Sequence, residues 1–184
     1  MKKKKNVLIG VLVFSLAALL AVGTWAWFTA TADPVTNQFT AGTVKIEINE
    51  HGFTDVVNWN PGDTTEKKVS VKSKGSKASY VRVSLTPVWE DNLPIDNVIL
   101  NWNENDWVYS GGWYYYKQIL GAGQETPLLL QSVTLDGSGT GDQYQGKALQ
   151  IVVDAEAVQA SHGAYKDAWG LDQLPAGVEE WVAP

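Results

Sequence analysis

Hydrophobic and polar residues alternate with period two in several separate runs of this chain. Thr43-Val44-Lys45-Ile46-Glu47-Ile48-Asn49 is one such run, and Lys68-Val69-Ser70-Val71-Lys72 is a second. Tyr80-Val81-Arg82-Val83-Ser84-Leu85-Thr86 is a third. Successive side chains of a strand point to opposite faces, so this pattern predicts strands with one buried and one wet face. Further strands are expected at 106–110, 113–120, 127–135 and 147–159. In the last, Ile151, Val153, Ala155 and Ala157 share a face. Turn signals separate these runs: Asn60-Pro61-Gly62-Asp63, Ser110-Gly111-Gly112, Gly121-Ala122-Gly123 and Asp136-Gly137-Ser138-Gly139. About eight strands at this spacing predict an all-β, antiparallel, two-sheet, jelly-roll-like sandwich. Helix is expected only at the N-terminus and over 163–169. The connection 90–105 reads as a wrapped loop or short helix, and 171–184 as an extended, partly mobile tail.

The N-terminus breaks the pattern. Lys2 to Lys5 precede an apolar run from Val7 to Val22, and Gly23-Thr24-Trp25-Ala26 follows. A basic start, an apolar stretch and a small-residue exit describe a secretory signal peptide. The run is about 16 residues, shorter than the roughly 20 of a bilayer span. Thr24 and Ala26 place cleavage between Ala26 and Trp27; Ala30-Thr31-Ala32 offers a second site before Asp33. The expected organisation is a signal peptide over 1–26, an N-terminal arm over 27–42, a sandwich over 43–170 and a tail over 171–184. Export to the extracellular matrix or cell surface follows.

Without 1–26 the chain has 158 residues and a net charge of about −10, one domain with an acidic surface. Such a surface repels phosphate backbones, so no nucleic acid is expected as partner. There is no cysteine, hence no disulfide and no thiol nucleophile. His51 and His162 are far apart, and neither belongs to an H-E-x-x-H pair. No G-x-S-x-G elbow occurs. Glu90-Asp91 and Asp154/Glu156 are acid pairs by residue type alone, and the latter should lie on a solvated strand face. The 136–142 loop has oxygen donors without the spaced acids of an EF-hand. No catalytic residue, cofactor or metal site is therefore expected.

Residues 23–44 carry a resemblance. Gly23-Thr24-Trp25-Ala26-Trp27-Phe28-Thr29, then Asn37-Gln38-Phe39-Thr40-Ala41-Gly42-Thr43-Val44, resembles the N-terminus of the TasA/camelysin family. Members are exported through a dedicated signal peptidase, SipW. Asp106-Trp107 with Gly111-Gly112-Trp113-Tyr114-Tyr115-Tyr116-Lys117, Leu120–Leu128, Ala155–Ala160 and Ala168-Trp169-Gly170 resemble the BsaA-type branch of SipW-dependent biofilm-matrix proteins. The resemblance implies a jelly-roll subunit of extracellular fibres or bundled pili. It also implies the chain itself as homopolymer partner, a SipW-type peptidase during export and an accessory matrix subunit. The family's names include a metalloprotease activity, for which this chain offers no assignable residue.

Residue chemistry agrees with strand donation. Trp27-Phe28-Thr29-Ala30-Thr31-Ala32 is uncharged, β-prone and followed by Pro34, which punctuates the chain. Once cleaved, it is an arm able to complement a neighbour's open sheet edge; folding back on its own domain is the alternative. A rival from another class is a secreted carbohydrate- or surface-binding module, with Trp102, Trp107, Trp113 and Tyr114–Tyr116 as a stacking platform.

Overall fold

A computed structural model describes residues 42–52 and 59–183. The expected signal helix and the 27–32 arm lie outside them. The described residues form two antiparallel four-stranded sheets. Sheet one has the order β1 (Ile46–Asn49), β2 (Thr64–Ser73), β7 (Leu130–Leu135) and β4 (Val98–Trp102). Sheet two has the order β5 (Trp107–Ser110), β6 (Trp113–Tyr116), β3 (Ser79–Trp89) and β8 (Leu149–Gln159). The all-β, two-sheet sandwich expected from the alternation is therefore present.

The alternation explains the core. Val69 and Val71 of β2 face Val81, Val83 and Leu85 of β3, with Trp107, Tyr114, Tyr116, Leu129, Leu130 and Val133 completing the layer. Each such side chain, fully buried, contributes about 1.5–3 kcal/mol. The register between β3 and β8 is unbroken over eleven pairs, from Ser79↔Gln159 to Trp89↔Leu149. The β5–β6 hairpin turns at Gly111 and Gly112, whose φ values of +58° and +87° suit glycine.

Two segments differ from expectation. The 90–105 connection contains β4, paired with β7 from Val98↔Leu135 to Trp102↔Leu130. A short turn over Glu90–Asn92 precedes it, with Asp91 and Asn92 both left-handed at φ +58° and +55°. The tail, expected to be extended and partly mobile, instead bends at 172–173, closes a turn in which the Val178 amide donates to the Pro175 carbonyl (3.1 Å), and docks on the domain. Leu174 is buried, Val178 packs beside Tyr80, the Glu179 amide donates to the Lys117 carbonyl (2.7 Å) and the Trp181 amide donates to Tyr80 Oη (2.8 Å). Helix α1 (Ala164–Trp169) lies where helix was expected. With the tail it covers the outer face of sheet two, burying Tyr80 and Ala160.

Candidate functional site: an open flank of the sandwich

The flank bounded by β1 and β8 is built differently from the rest. β1 pairs with β2 only over Ser70–Ser73, so among the described strands the Thr64–Val69 edge of β2 has no partner on that side. β8 is the outermost strand of sheet two and, at 11 residues, far longer than the other edge strands β1, β4 and β5. A long edge strand presents a row of main-chain donors and acceptors that template another strand. Sandwiches ordinarily blunt such edges with short strands, as β4 and β5 do here.

The inner face of β8 is unfinished as well. Leu149, Ile151, Val153, Ala155 and Ala157 point toward the core yet are only half-buried. Their neighbours Val81, Val83 and Leu85 on β3 are buried. Between the start of β8 and the start of β2 lies a cavity of about 1070 Å³. Leu149, Ile151, Leu135, Trp89 and Trp59 give it apolar walls, and Thr65, Lys67 and Glu50 give it polar ones. The inward positions of β2 explain this mixture: Val69 and Val71 fill the core, whereas Thr65 and Lys67 occupy the same parity further along. Trp59 Nε1 is buried and, among the described residues, is the one side-chain N or O of that kind without a hydrogen-bond partner. Such an orphaned donor costs about 1–3 kcal/mol until an acceptor arrives.

The rim is held in place from several directions. Lys67 Nζ, nearly buried, pairs with Glu50 Oε1 at 2.6 Å. Trp89 Nε1 donates to Asn97 Oδ1 (3.1 Å), and Tyr144 Oη donates to the Pro94 carbonyl (3.0 Å). Trp89 and Tyr144 also pack together, ring centroids 5.0 Å apart. Lys147 donates to Asp91 Oδ2 at 2.5 Å; this hydrogen bond first, and the carboxylate's charge second, raise the lysine pKa above its ordinary value. The Ala148 amide donates to Glu90 Oε2. The turn before β8 is thereby tied to the turn after β3.

Other residues singled out from sequence fall elsewhere. Ala26, Trp27, Phe28, Thr29, Ala30, Thr31 and Ala32 lie outside the described residues. The stacking platform is not formed: Trp107, Tyr114, Tyr115 and Tyr116 are all buried. Trp107 and Tyr116 pack on each other in the core, and Tyr115 lies beneath Trp169. Burial raises the pKa of Tyr114 and Tyr116. Asp154 and Glu156 are solvent-facing, as the alternation predicted. Glu90 and Asp91 are engaged at the rim, and Asp136 accepts from Ser138. His162 occupies a left-handed turn. His51 does too, and its Nε2 lies 2.9 Å from Ser70 Oγ. Ser70 donates to Glu125 Oε1 (2.5 Å) and Asn49 adds a second donor (2.9 Å); these two bonds, in that order, hold the Glu125 pKa below its ordinary value. The serine is thus bound by the carboxylate itself, unlike a relay in which a histidine stands between them.

Among the described residues, the flank gives a β-sandwich whose second sheet ends on one long edge strand. The family described as camelysin metallo-endopeptidase matches residues 2–90, just under half of the chain. That match supports assignment to the TasA/camelysin family and, at family level, an exported protein related to the biofilm matrix. No curated protein matches the chain. The family's description implies a metal ion. Among the described residues no group of three or more His, Cys, Asp or Glu is placed to hold one, so the donor set does not fit that ion here. No described helix is long and apolar enough to cross a membrane.

Proposed function

We propose that this chain is a secreted structural subunit of an extracellular biofilm-matrix fibre or pilus, and that subunits join by β-strand donation. The observation that carries this reading is the β8 edge: eleven residues long, without a strand partner on one side among the described residues, and only partly buried on its inner face beside a cavity of about 1070 Å³. The donor is the arm Trp27–Ala32, released by cleavage after Ala26. Head-to-tail donation is a heterologous contact that does not close, so it builds filaments. Main-chain hydrogen bonds supply affinity, and the flank's apolar positions supply specificity. The partners are the chain itself, a SipW-type signal peptidase during export and an accessory matrix subunit; the role is non-enzymatic.

Electron microscopy of the mature chain and of a form lacking 27–32 tests the reading. The mature chain should form fibres, and the shortened one should stay folded, soluble and monomeric. Fibres of equal yield from the shortened form would refute donation. Loss of folding in that form would assign the arm to its own sandwich.

A further inference from the structure

The charges of this acidic chain are sorted along it. Among the described residues, positions 42–77 hold six lysines against four acids, and positions 78–183 hold four basic residues against fourteen acids. The stretch that forms β1 and β2 thus carries +2, while the rest of the domain carries −10. We infer that the outward face of β1 and β2 is a docking surface for a carboxylate-bearing polysaccharide, held by Lys45, Lys72 and Lys74.

Strand parity builds this surface. Ile46 and Ile48 pack against the core, so Lys45 and Glu47 turn to water. The antiparallel register sets Glu47 against Lys72. One rung further, where the Lys74 amide donates to the Lys45 carbonyl (2.7 Å), it sets Lys45 against Lys74. Like charges directly opposite each other destabilise a strand pair, so an anion arriving at this rung relieves a cost built into the free chain. The three lysines already hold one carboxylate. Lys74 Nζ pairs with Glu47 Oε2 at 2.9 Å, and among the described residues no ion pair engages Lys45 or Lys72. The Lys74 hydrogen bond first and its charge second, with Lys72 and Lys45 adding to them, hold the Glu47 carboxyl below its ordinary range. Glu125, beside Lys72, is committed to Ser70 and Asn49. One carboxylate among three lysines leaves positive charge uncompensated. Its carriers stand about 5 Å apart across the strands and about 7 Å apart along them, a spacing suited to a chain with one anion on each repeat. Phosphate polymers fit less well. Lysine is a hydrated point charge, and the only arginine of the chain, whose fork matches phosphate, is Arg82 on sheet two.

Affinity of the chain lacking 1–26 for immobilised polygalacturonate, read by surface plasmon resonance with dextran as the neutral polymer, tests the assignment. The chain should bind polygalacturonate and not dextran. Affinity should fall about tenfold or more between roughly 50 and 200 mM salt, as the release of about two or three counterions requires. Lys45→Glu should cut affinity about fivefold without lowering the melting temperature, because it turns a like-charged rung into an opposite-charged one. Lys166→Glu, on α1, makes the same change in net charge and should stay within about twofold. Equal losses from the two variants, or a loss in K45E that accompanies a lower melting temperature, overturn the surface. So does absence of binding at the lower salt. Tighter binding to duplex DNA than to polygalacturonate overturns the carboxylate assignment. Binding that appears only at concentrations where the chain associates with itself gives the face to a second copy and overturns the polysaccharide. None of these readouts needs fibres, so strand donation stands or falls separately.

Discussion

Arg82 offers a measurable test of how the outer face of sheet two is held. Its guanidinium lies between two indoles, 4.2 Å from the Trp113 ring centre and 4.6 Å from that of Trp169. Nη2 and Nε both reach Glu156 Oε2, at 2.8 and 2.9 Å, and the side chain is 11% exposed. Four elements meet there: β3, β6, β8 and α1. Each cation–π contact, partly desolvated, contributes about 0.5–2 kcal/mol. Glu156 is nearly half exposed, so the ion pair adds only about 0.5–1 kcal/mol. Arg82→Ala should therefore cost about 2–4 kcal/mol. At about 3 °C per kcal/mol for a domain of this size, the melting temperature should fall by roughly 6–12 °C. Arg82→Lys should recover less than half, because a point charge cannot fill a planar slot between two rings. Calorimetry of the mature chain reads both, and a double-mutant cycle with Glu156→Gln isolates the ion pair. A drop under about 1 °C for Arg82→Ala, or full recovery by lysine, would show that the indoles and the tail hold α1 without the cation.

Trp107→Ala should cost about 3–5 kcal/mol in denaturant titration, since this fully buried indole stands at the centre of the core. Gly75→Ala should loosen β1, because an added Cβ would lie 2.4 Å from the Thr43 carbonyl oxygen; faster amide exchange at Ile46–Asn49 would register it. The Glu125 pKa is lower in the folded chain than in the unfolded one, so its stabilisation is present above the ordinary carboxylate range and is lost as pH falls through the depressed value. Glu125→Gln should remove that acid-dependent component at a cost of about 1 kcal/mol at neutral pH, read from melting curves across acid pH. Replacing His51 and His162 together by Ala should leave secretion and assembly intact; metal-dependent proteolysis by the pure chain, abolished by the pair, would overturn the non-enzymatic reading. Amino-terminal sequencing of secreted material should begin at Trp27, and a first residue of Asp33 would move the cut to the second site.

Strand positions were legible wherever one face is wet. β3 and β8 alternate cleanly because their outer residues, such as Thr86 and Asp154, face water. β4 was not legible because Val98-Ile99-Leu100 carries no polar interruption; Ile99 is apolar yet exposed on the outer face. Tyr114-Tyr115-Tyr116 misled for the opposite reason. Its outward-facing Tyr115 is buried too, but by Trp169, 54 positions along the chain. The docking of the tail rests on equally remote partners, Lys117 and Tyr80, with no local periodicity to announce it. The open flank could be seen only after pairing was known. Nothing in the residues near 64–69 says that β1 stops short of them.

The eleven-pair register between β3 and β8 has a mechanical meaning. Tension directed along β8 loads every rung of that ladder at once, in shear, so the rungs must fail together. Tension across the strand would open them one by one. A four-residue edge such as β5 resists poorly in either geometry. A linkage running alongside β8 thus delivers its pull to the longest ladder among the described residues, in the direction that ladder resists best, and the neighbouring hairpin is spared.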